Sequence, residues 1–374
     1  MPNHELGCHS SGSVPVVSSN PAGPRPDAAV HFVPRERGTT VFARAPMRIS
    51  FAGGGTDVAP FPEREGGAVL SMSITRYAFA SARKRDDDQI NLTSLDLGLA
   101  TQGPVGNLSE LDQRLHLLRG PISRLATDGR GVDLRVQSQA PPGSGLGASS
   151  TIVAAVLGAL VSAYGLQASR HQLARGAVQI EREDLALTGG IQDHYAAVFG
   201  GVNYIEFTGD RVHVNPLKLP ASTVAMLEHN LLLCHLGTSR ESATIIDDQR
   251  RRYEADADTT IAALRRQKEL AVELKHALLS GDLDGFGTLL GDAWRVKQEM
   301  SPLIATDVAT ATYDTAIRAG ALGGKMTGAG GGGHMLFYAP FERRFEVAQA
   351  LRDTGLTVAD IALDDVGLQT WTHA

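Results

Sequence analysis

The sequence predicts an α+β fold divided between two domains. At 374 residues the chain exceeds what one typical hydrophobic core accommodates and is long enough for two. Strand-like and helix-like segments follow one another without strict β-α-β alternation, which favours α+β layers over a doubly wound parallel sheet. Glycine-rich stretches at 53–55, 143–147 and 328–333 adjoin the predicted strands, so three loops with unusual backbone freedom are expected.

The chain begins with a compositionally biased segment. Residues 1–38 are rich in Ser, Pro and Gly and poor in large apolar residues, so we expect a disordered tail there. This segment lacks the apolar core of a signal peptide. The first strand is predicted at 40–52, where Pro46 indicates an edge position or a bulge.

A turn with a hydroxyl and a carboxylate, Thr56 and Asp57, follows this strand. Asp57 either caps a short helix or accepts hydrogen bonds from the hydroxyls of a bound polyol. Beyond this turn, the apolar periodicity predicts antiparallel β-structure over 68–83 and 90–92 and a helix over 111–126.

A strand, a glycine-rich turn and a helix come next. Val132, Leu134 and Val136 alternate with polar residues, and an apolar run starts at Ile152. The glycines between them can turn several N–H groups toward one point at the start of the helix, which suits a phosphate. A plain turn is the alternative. The loop matches neither the P-loop nor the dinucleotide-binding pattern.

Acidic residues mark the next two segments. A helix over 172–184 carries Glu181 and Glu183. Glycine pairs then bracket a short helical piece in which Asp193 lies near the start, where the helix dipole favours a carboxylate. A helix cap is the simpler interpretation of Asp193. Strands are predicted at 202–207 and 211–214.

The C-terminal half is richer in helices. A buried strand over 231–236 runs into a turn, and a glycine-rich stretch at 321–333 precedes a strand at 334–338. The remaining apolar patterns predict helices over 240–253, 258–280, 282–299, 303–319 and 341–353 and a strand over 357–363.

Composition excludes several classes of protein. The net charge of −6 provides no basic field for nucleic acid or an anionic membrane. No apolar run is long enough to span a membrane. Cys8 and Cys234 lie far apart and belong to no metal-binding spacing, so we expect a reduced, cytoplasmic protein without zinc.

Three segments together resemble the motifs of the GHMP small-molecule kinases. The first is RAPMRISFAGGGTD at 44–57, the second PGSGLGASS at 142–150 and the third KMTGAGGGG at 325–333. The second departs from the family pattern at Ala148, where a serine is usual. Together with QDHYAAVFGG at 192–201, these phrases are similar to the branch that phosphorylates sugars at the anomeric hydroxyl. Ile191 is a departure, because heptose kinases of this branch often carry lysine there.

The resemblance covers about residues 40–370 and implies a fold. We expect an N-terminal ribosomal-S5-like ATP-binding domain over 39–215 and a C-terminal ferredoxin-like α+β domain over 216–374. The active site would lie between them.

The resemblance also implies where ATP and Mg²⁺ bind. Ser149 and Glu181 would be the Mg²⁺ ligands. The ATP triphosphate would lie on a loop made of Pro142, Gly143, Ser144, Gly145, Leu146, Gly147, Ala148, Ser149 and Ser150.

For the sugar, the resemblance places Asp193 beside the attacking hydroxyl and Arg48 beside Asp193. Arg240, Lys297 and Lys325 are the candidates for binding a substrate phosphate. His194 and Tyr195 either line the pocket or pack in the core. The expected substrate-binding residues are Gly54, Gly55, Thr56, Asp57, Arg240, Lys325 and Gly330.

The implied function is an ATP- and Mg²⁺-dependent kinase of a small-molecule sugar phosphate, with heptose 7-phosphate as the expected acceptor. An unphosphorylated sugar such as L-fucose is the alternative acceptor. A sugar-sensing regulator without catalysis is a second alternative, against which Ser149, Glu181 and Asp193 argue. We expect no nucleic-acid or membrane partner, and a homodimer is left open.

Overall fold

The computed structural model describes residues 38–126, 128–237 and 242–372. The tail expected over 1–38 lies outside the described residues except for Gly38, and so does Arg240. Within the described part, no helix combines the length and apolar character needed to cross a membrane.

One sheet of the described chain has eight strands and organises the N-terminal half. Its strands are β1 (Thr40–Ala52), β2 (Gly67–Lys84), β3 (Gln89–Ser94), β4 (Leu99–Pro104), β5 (Val132–Ser138), β6 (Val202–Thr208), β7 (Arg211–Pro216) and β12 (Gln369–Thr372). The strand order is β12-β1-β2-β5-β3-β4, and β6 and β7 extend the sheet from the other part of β2. All neighbours are antiparallel except β3 and β5.

A second, four-stranded antiparallel sheet has the order β11-β8-β10-β9 and lies in the C-terminal half. Strand β9 falls in what the sequence predicts as a glycine-rich loop. The sequence did not predict this strand because glycines are typical of loops, whereas here they allow a buried strand to pack closely against a helix. The strands are β8 (Leu231–His235), β9 (Gly323–Met326), β10 (His334–Tyr338) and β11 (Thr357–Ala359).

Helices cover the sheets and follow the apolar periodicity of the sequence. The helix expected over 172–184 starts earlier, at a capping box formed by Ser169 and Gln172, and ends in a π-helical turn over Gln179–Asp184. The helices are α1 (Phe61–Glu65), α2 (His116–Leu125), α3 (Ala148–Ala163), α4 (Arg170–Val178), α5 (Gln192–Phe199), α6 (Ala221–Asn230), α7 (Ser242–Glu254), α8 (Asp258–Ser280), α9 (Leu283–Glu299), α10 (Asp307–Ala319) and α11 (Arg344–Asp353).

Strand β1 lies inside the first sheet rather than at its edge. It pairs with β12 on one side and β2 on the other, and its register with β2 shifts between Pro46 and Met47. Of the two interpretations of Pro46, the bulge is therefore confirmed and the edge is wrong. The last eight residues of β1 are all buried, so it can present Arg48 to an interior site.

The two halves share a hydrophobic core. Phe51 of β1 meets Phe286 of α9 edge to face, with ring centroids 5.0 Å apart, and α8 packs against the same cluster. The α+β fold class is confirmed. The domain limits of 39–215 and 216–374 stay a prediction, but the last strand, Gln369–Thr372, pairs with β1 in the first sheet.

Candidate active site

The three glycine-rich stretches meet at one cavity of about 460 Å³. Gly54 and Gly55 line it from the turn after β1, and Thr327 and Gly328 line it from the loop after β9. The loop before α3 provides most of the remaining backbone, through Pro142, Gly143, Ser144, Gly145, Gly147, Ala148, Ser149 and Ser150. The sequence motifs therefore converge in space although they are far apart in the chain.

The second and third glycine-rich loops touch each other. A Cβ atom added to Gly328 would lie 2.5 Å from the Cα atom of Gly145, so position 328 has no room for a side chain. Gly145 also has a φ of +76°, which L-residues rarely adopt. Thr327 Oγ1 donates to Gly145 O at 3.0 Å and fixes this approach.

Arg48 and Asp193 form a bidentate ion pair in the cavity. Arg48 Nε donates to Asp193 Oδ1 at 2.6 Å, and its NH2 group donates to Oδ2 at 2.7 Å. The side chains are only 7% and 17% exposed, which shields the pair from solvent. Arg48 NH1 also donates to Gly145 O at 2.7 Å and to Thr327 O at 3.3 Å. One guanidinium thus connects Asp193 with both glycine-rich loops.

Asp57 is buried and held from two directions. Gly55 N donates to its Oδ1 at 3.1 Å. Gln192 donates to its Oδ2 through both the backbone and the side chain, at 3.1 and 3.2 Å. Asp57 also lines the cavity, and a carboxylate has capacity for further donors beyond these. Its position fits the expected contact with substrate hydroxyls.

Glu181 is an ionised carboxylate in the wall of the cavity. Ser150 Oγ donates to Glu181 Oε2 at 2.6 Å, and His194 Nε2 lies 2.5 Å from the same oxygen. Burial by itself would raise the pKa of Glu181. The charge and proximity of His194, with smaller effects from Arg182 and Ser150, outweigh burial and lower that pKa to about 2.

The same wall offers a fitting site for Mg²⁺. Ser149 is exposed in the first turn of α3 and lines the cavity together with Glu181. A hydroxyl and an ionised carboxylate are hard oxygen ligands, which Mg²⁺ prefers over nitrogen or sulfur. Within the described ranges, no cluster of three or more His, Cys, Asp or Glu side chains is placed to hold a metal by itself.

Two lysines lie beside the ion pair. Lys325 Nζ donates to Ser50 O at 2.7 Å and to Met326 O at 3.0 Å, and burial, with Lys297 and Arg48 nearby, lowers its pKa well below the usual value. The hydrogen bond to Ser50 O thus connects β9 to β1 beside the cavity. Burial lowers the pKa of Lys297 to about 8, although the nearby Asp57 acts in the opposite direction.

Several expected site residues do not line the cavity. Thr56 is fully buried, and its hydroxyl is bonded to Gly53 O and to Ala68. Leu146 packs in the apolar core, and Gly330 lies against Ile304. Each of these positions serves the fold of its loop, and the expected ligand contacts of the three residues stay a prediction. Arg240 lies outside the described residues.

Core packing is the better interpretation of His194 and Tyr195. His194 faces Glu181 from the interior and is fully buried, and the Tyr195 ring stacks on Phe199. Neither lines the cavity.

Among the cavity residues that sequence reasoning missed are Ser50, Gln192 and Thr327. All three lie inside the quoted motifs. Ser50 also follows Arg48 by two positions on β1, and side chains two apart project from the same face of a strand. That spacing was a usable signal for Ser50.

Family models match both halves of the chain. The model described as GHMP kinases N terminal domain matches residues 115–201, and the one described as GHMP kinases C terminal matches residues 274–356. A Campylobacter jejuni D-glycero-alpha-D-manno-heptose 7-phosphate kinase is 32% identical over 337 residues, which cover 89% of this chain and 99% of that protein.

The chain belongs to the GHMP kinase family. A crystal structure of a D-glycero-D-manno-heptose 1-phosphate kinase from Bacteroides thetaiotaomicron resembles this GHMP kinase with a TM-score of 0.75 and 31% identity, over 89% of this chain and 99% of that one. An Arabidopsis thaliana bifunctional fucokinase/GDP-fucose pyrophosphorylase is 26% identical over 82% of this chain and 31% of its own length. The expected kinase fold and the resemblance to heptose kinases are confirmed.

Proposed function

We propose that this GHMP kinase transfers the γ-phosphoryl group of ATP to the anomeric hydroxyl of D-glycero-D-manno-heptose 7-phosphate, which yields the 1,7-bisphosphate. The observation that carries the proposal is the shielded Arg48–Asp193 pair, which lies at the point where three glycine-rich loops meet. The relatives named as heptose phosphate kinases support the choice of acceptor. The product would serve the synthesis of a nucleotide-activated heptose, and we expect this reaction in the cytoplasm.

The loop before α3 is the proposed site of the ATP phosphates. Helix α3 begins after Gly147, and no side chain caps its first N–H groups, which leaves them available to an anion. Apolar side chains farther along the cavity, among them Leu97, Leu117 and Val136, offer a surface for the nucleoside. ATP would therefore extend from this wall to the Arg48–Asp193 pair.

Mg²⁺ would be held by Ser149 and Glu181. When bound, the ion neutralises charge on the phosphates of the nucleotide. The contribution of this chain is to keep Glu181 ionised and oriented, through its contacts with Ser150 and His194.

Asp193 is the proposed partner of the attacking hydroxyl. Each of its oxygens accepts one hydrogen bond from Arg48 and keeps capacity for another donor. Asp193 would take the proton of the anomeric hydroxyl as the sugar oxygen bonds to the γ-phosphorus and ADP leaves. Arg48 would keep Asp193 oriented and offset charge on the transferred group.

The acceptor is tested with a panel of sugars. Steady-state ADP release should be fastest, at low acceptor concentration, with D-glycero-D-manno-heptose 7-phosphate. It should be much slower with the unphosphorylated heptose, D-mannose 6-phosphate or L-fucose. The fucokinase relative and the lysine-to-isoleucine departure at Ile191 make L-fucose the second candidate. Turnover of L-fucose without turnover of the heptose phosphate would replace the proposed acceptor.

A regulator without catalysis makes the opposite prediction. It would bind a sugar and release no ADP with any member of the panel. Asp193, Glu181 and Ser149 all line the cavity, so the parts needed for catalysis are together, and this favours the kinase.

A further inference from the structure

Polar atoms without partners surround one end of the cavity. Ser50 Oγ and Gln192 Oε1 are buried, line the cavity and make no hydrogen bond to the part of the chain that the structure describes. A Cβ atom added to Gly54 would lie 3.6 Å from Ser50 Oγ and 3.7 Å from Gln192 Nε2, so the two side chains flank this glycine. Buried polar groups are normally paired, so these two are suited to a ligand.

Lys297 adds a cation to the same end. It follows Leu290 and Ala293 on the buried stripe of α9, so its side chain enters the interior with them. The residue is 5% exposed and lines the cavity. Among residues 38–126, 128–237 and 242–372, its amine has no hydrogen-bond acceptor, in contrast to the doubly bonded amine of Lys325.

Charged side chains of both signs already meet at this end. Arg48 and Lys297 face Asp193 and Asp57, and the two lysines and Arg48 are close enough to influence one another. A dianionic phosphate here would lie beside two carboxylates, which is unfavourable. A neutral polyol, in contrast, can donate to the unpartnered oxygens and accept from the ammonium group without adding charge.

We propose that Ser50, Gln192 and Lys297 form the subsite that holds the ring hydroxyls of the sugar, with Lys297 as its cationic donor. The inference rests on the proposed function and deepens it. Lys297 Nζ donates to one hydroxyl of the ring, and Gln192 Oε1 accepts from another. Lys297 is thereby a positioning residue for the acceptor, and the phosphate at C7 lies elsewhere.

The test is a Lys297→Met variant, which keeps most of the side-chain volume and removes the amine. Binding of D-glycero-D-manno-heptose 7-phosphate is measured by calorimetry with a non-hydrolysable ATP analogue present, and again with the unphosphorylated heptose. The loss of one charge-assisted hydrogen bond should weaken binding of both sugars by about 10- to 100-fold. Affinity for the ATP analogue should stay within about twofold.

The thermal midpoint separates this role from a structural one. Lys297 Nζ makes no hydrogen bond to the described part of the chain, and burial disfavours its charged form, so Lys297→Met should stay close to the wild-type midpoint although it binds sugar poorly. Lys218→Met, at an exposed position, is the matched control and should change neither property. A lower midpoint with unchanged sugar affinity would instead assign Lys297 to the core.

Other outcomes are equally decisive. If only the 7-phosphate loses affinity, Lys297 contacts that phosphate and the assignment to ring hydroxyls is wrong. If the ATP analogue loses affinity instead, Lys297 belongs to the nucleotide site. A wild-type protein that binds neither heptose would overturn the proposed acceptor and this subsite together. A normal wild type with an unaffected variant overturns the subsite alone.

Discussion

Replacement of Asp193 by Asn is expected to lower kcat by about 10²- to 10⁴-fold, the usual contribution of a positioned general base. The amide keeps the size of the carboxylate but cannot take a proton, and its NH₂ group faces the Arg48 guanidinium instead of accepting from it. Affinity for ATP should change little, because the proposed phosphate contacts are the backbone groups before α3. Single-turnover phosphoryl transfer and equilibrium binding of an ATP analogue measure the two quantities separately.

Asp133→Asn is the control for this substitution. Asp133 lies on β5 and pairs with Arg83 and Arg85 away from the cavity, so its loss should leave kcat unchanged. If Asp193→Asn retained more than about a tenth of the wild-type kcat, Asp193 would serve only to orient the hydroxyl.

The Arg48→Met substitution is expected to reduce both activity and stability. It removes the cation that holds Asp193 and leaves a shielded carboxylate without its partner. It also removes the two hydrogen bonds from Arg48 to Gly145 O and Thr327 O, which join the glycine-rich loops. Breaking a buried pair from one side costs about 3 kcal/mol of unfolding free energy, and loss of one preorganised donor lowers kcat by about 10²- to 10³-fold.

Urea denaturation and steady-state kinetics measure these two effects. Arg48→Lys keeps the positive charge but not the two-pronged geometry of the guanidinium, so this variant should be more active than Arg48→Met and less active than the wild type. Arg83 also forms an ion pair, with Asp133, but its side chain is 51% exposed. Arg83→Met should therefore lower the free energy of unfolding by less than about 1 kcal/mol. Equal losses of stability in Arg48→Met and Arg83→Met would contradict the structural role given to Arg48.

The sequence predicted those helices and strands that can be recognised from their own residues. Strand β1 and helix α8 match their expected limits, because a run of strand-forming residues or an unbroken helical stripe can be recognised without knowledge of its neighbours. Strand β12 could not be found in this way. Four residues carry little periodic signal, and the position of β12 beside β1 is set by a partner more than 300 residues earlier.

The candidate site likewise contains residues that the motifs predicted and residues whose role only the structure reveals. Asp193, Arg48 and Asp57 were predicted from motifs, and the structure places all three in one cavity. Thr56 and Gly330 lie in the same motifs, yet they serve their own loops, and a motif does not distinguish a residue that builds a loop from one that touches a ligand. The free amine of Lys297 could not be foreseen, because it depends on the absence of nearby acceptors in the described part of the fold.

Phosphorus NMR of the complete reaction tests the central claim most directly. Purified protein is mixed with ATP, Mg²⁺ and D-glycero-D-manno-heptose 7-phosphate, and the Asp193→Asn protein is studied in parallel. A new anomeric phosphate signal should grow with the ADP signals, while the 7-phosphate signal persists, and the variant should not produce it. If ATP binds and is consumed with a new phosphate at any other position of the sugar, or with inorganic phosphate as the sole product, the assignment as an anomeric sugar kinase is wrong.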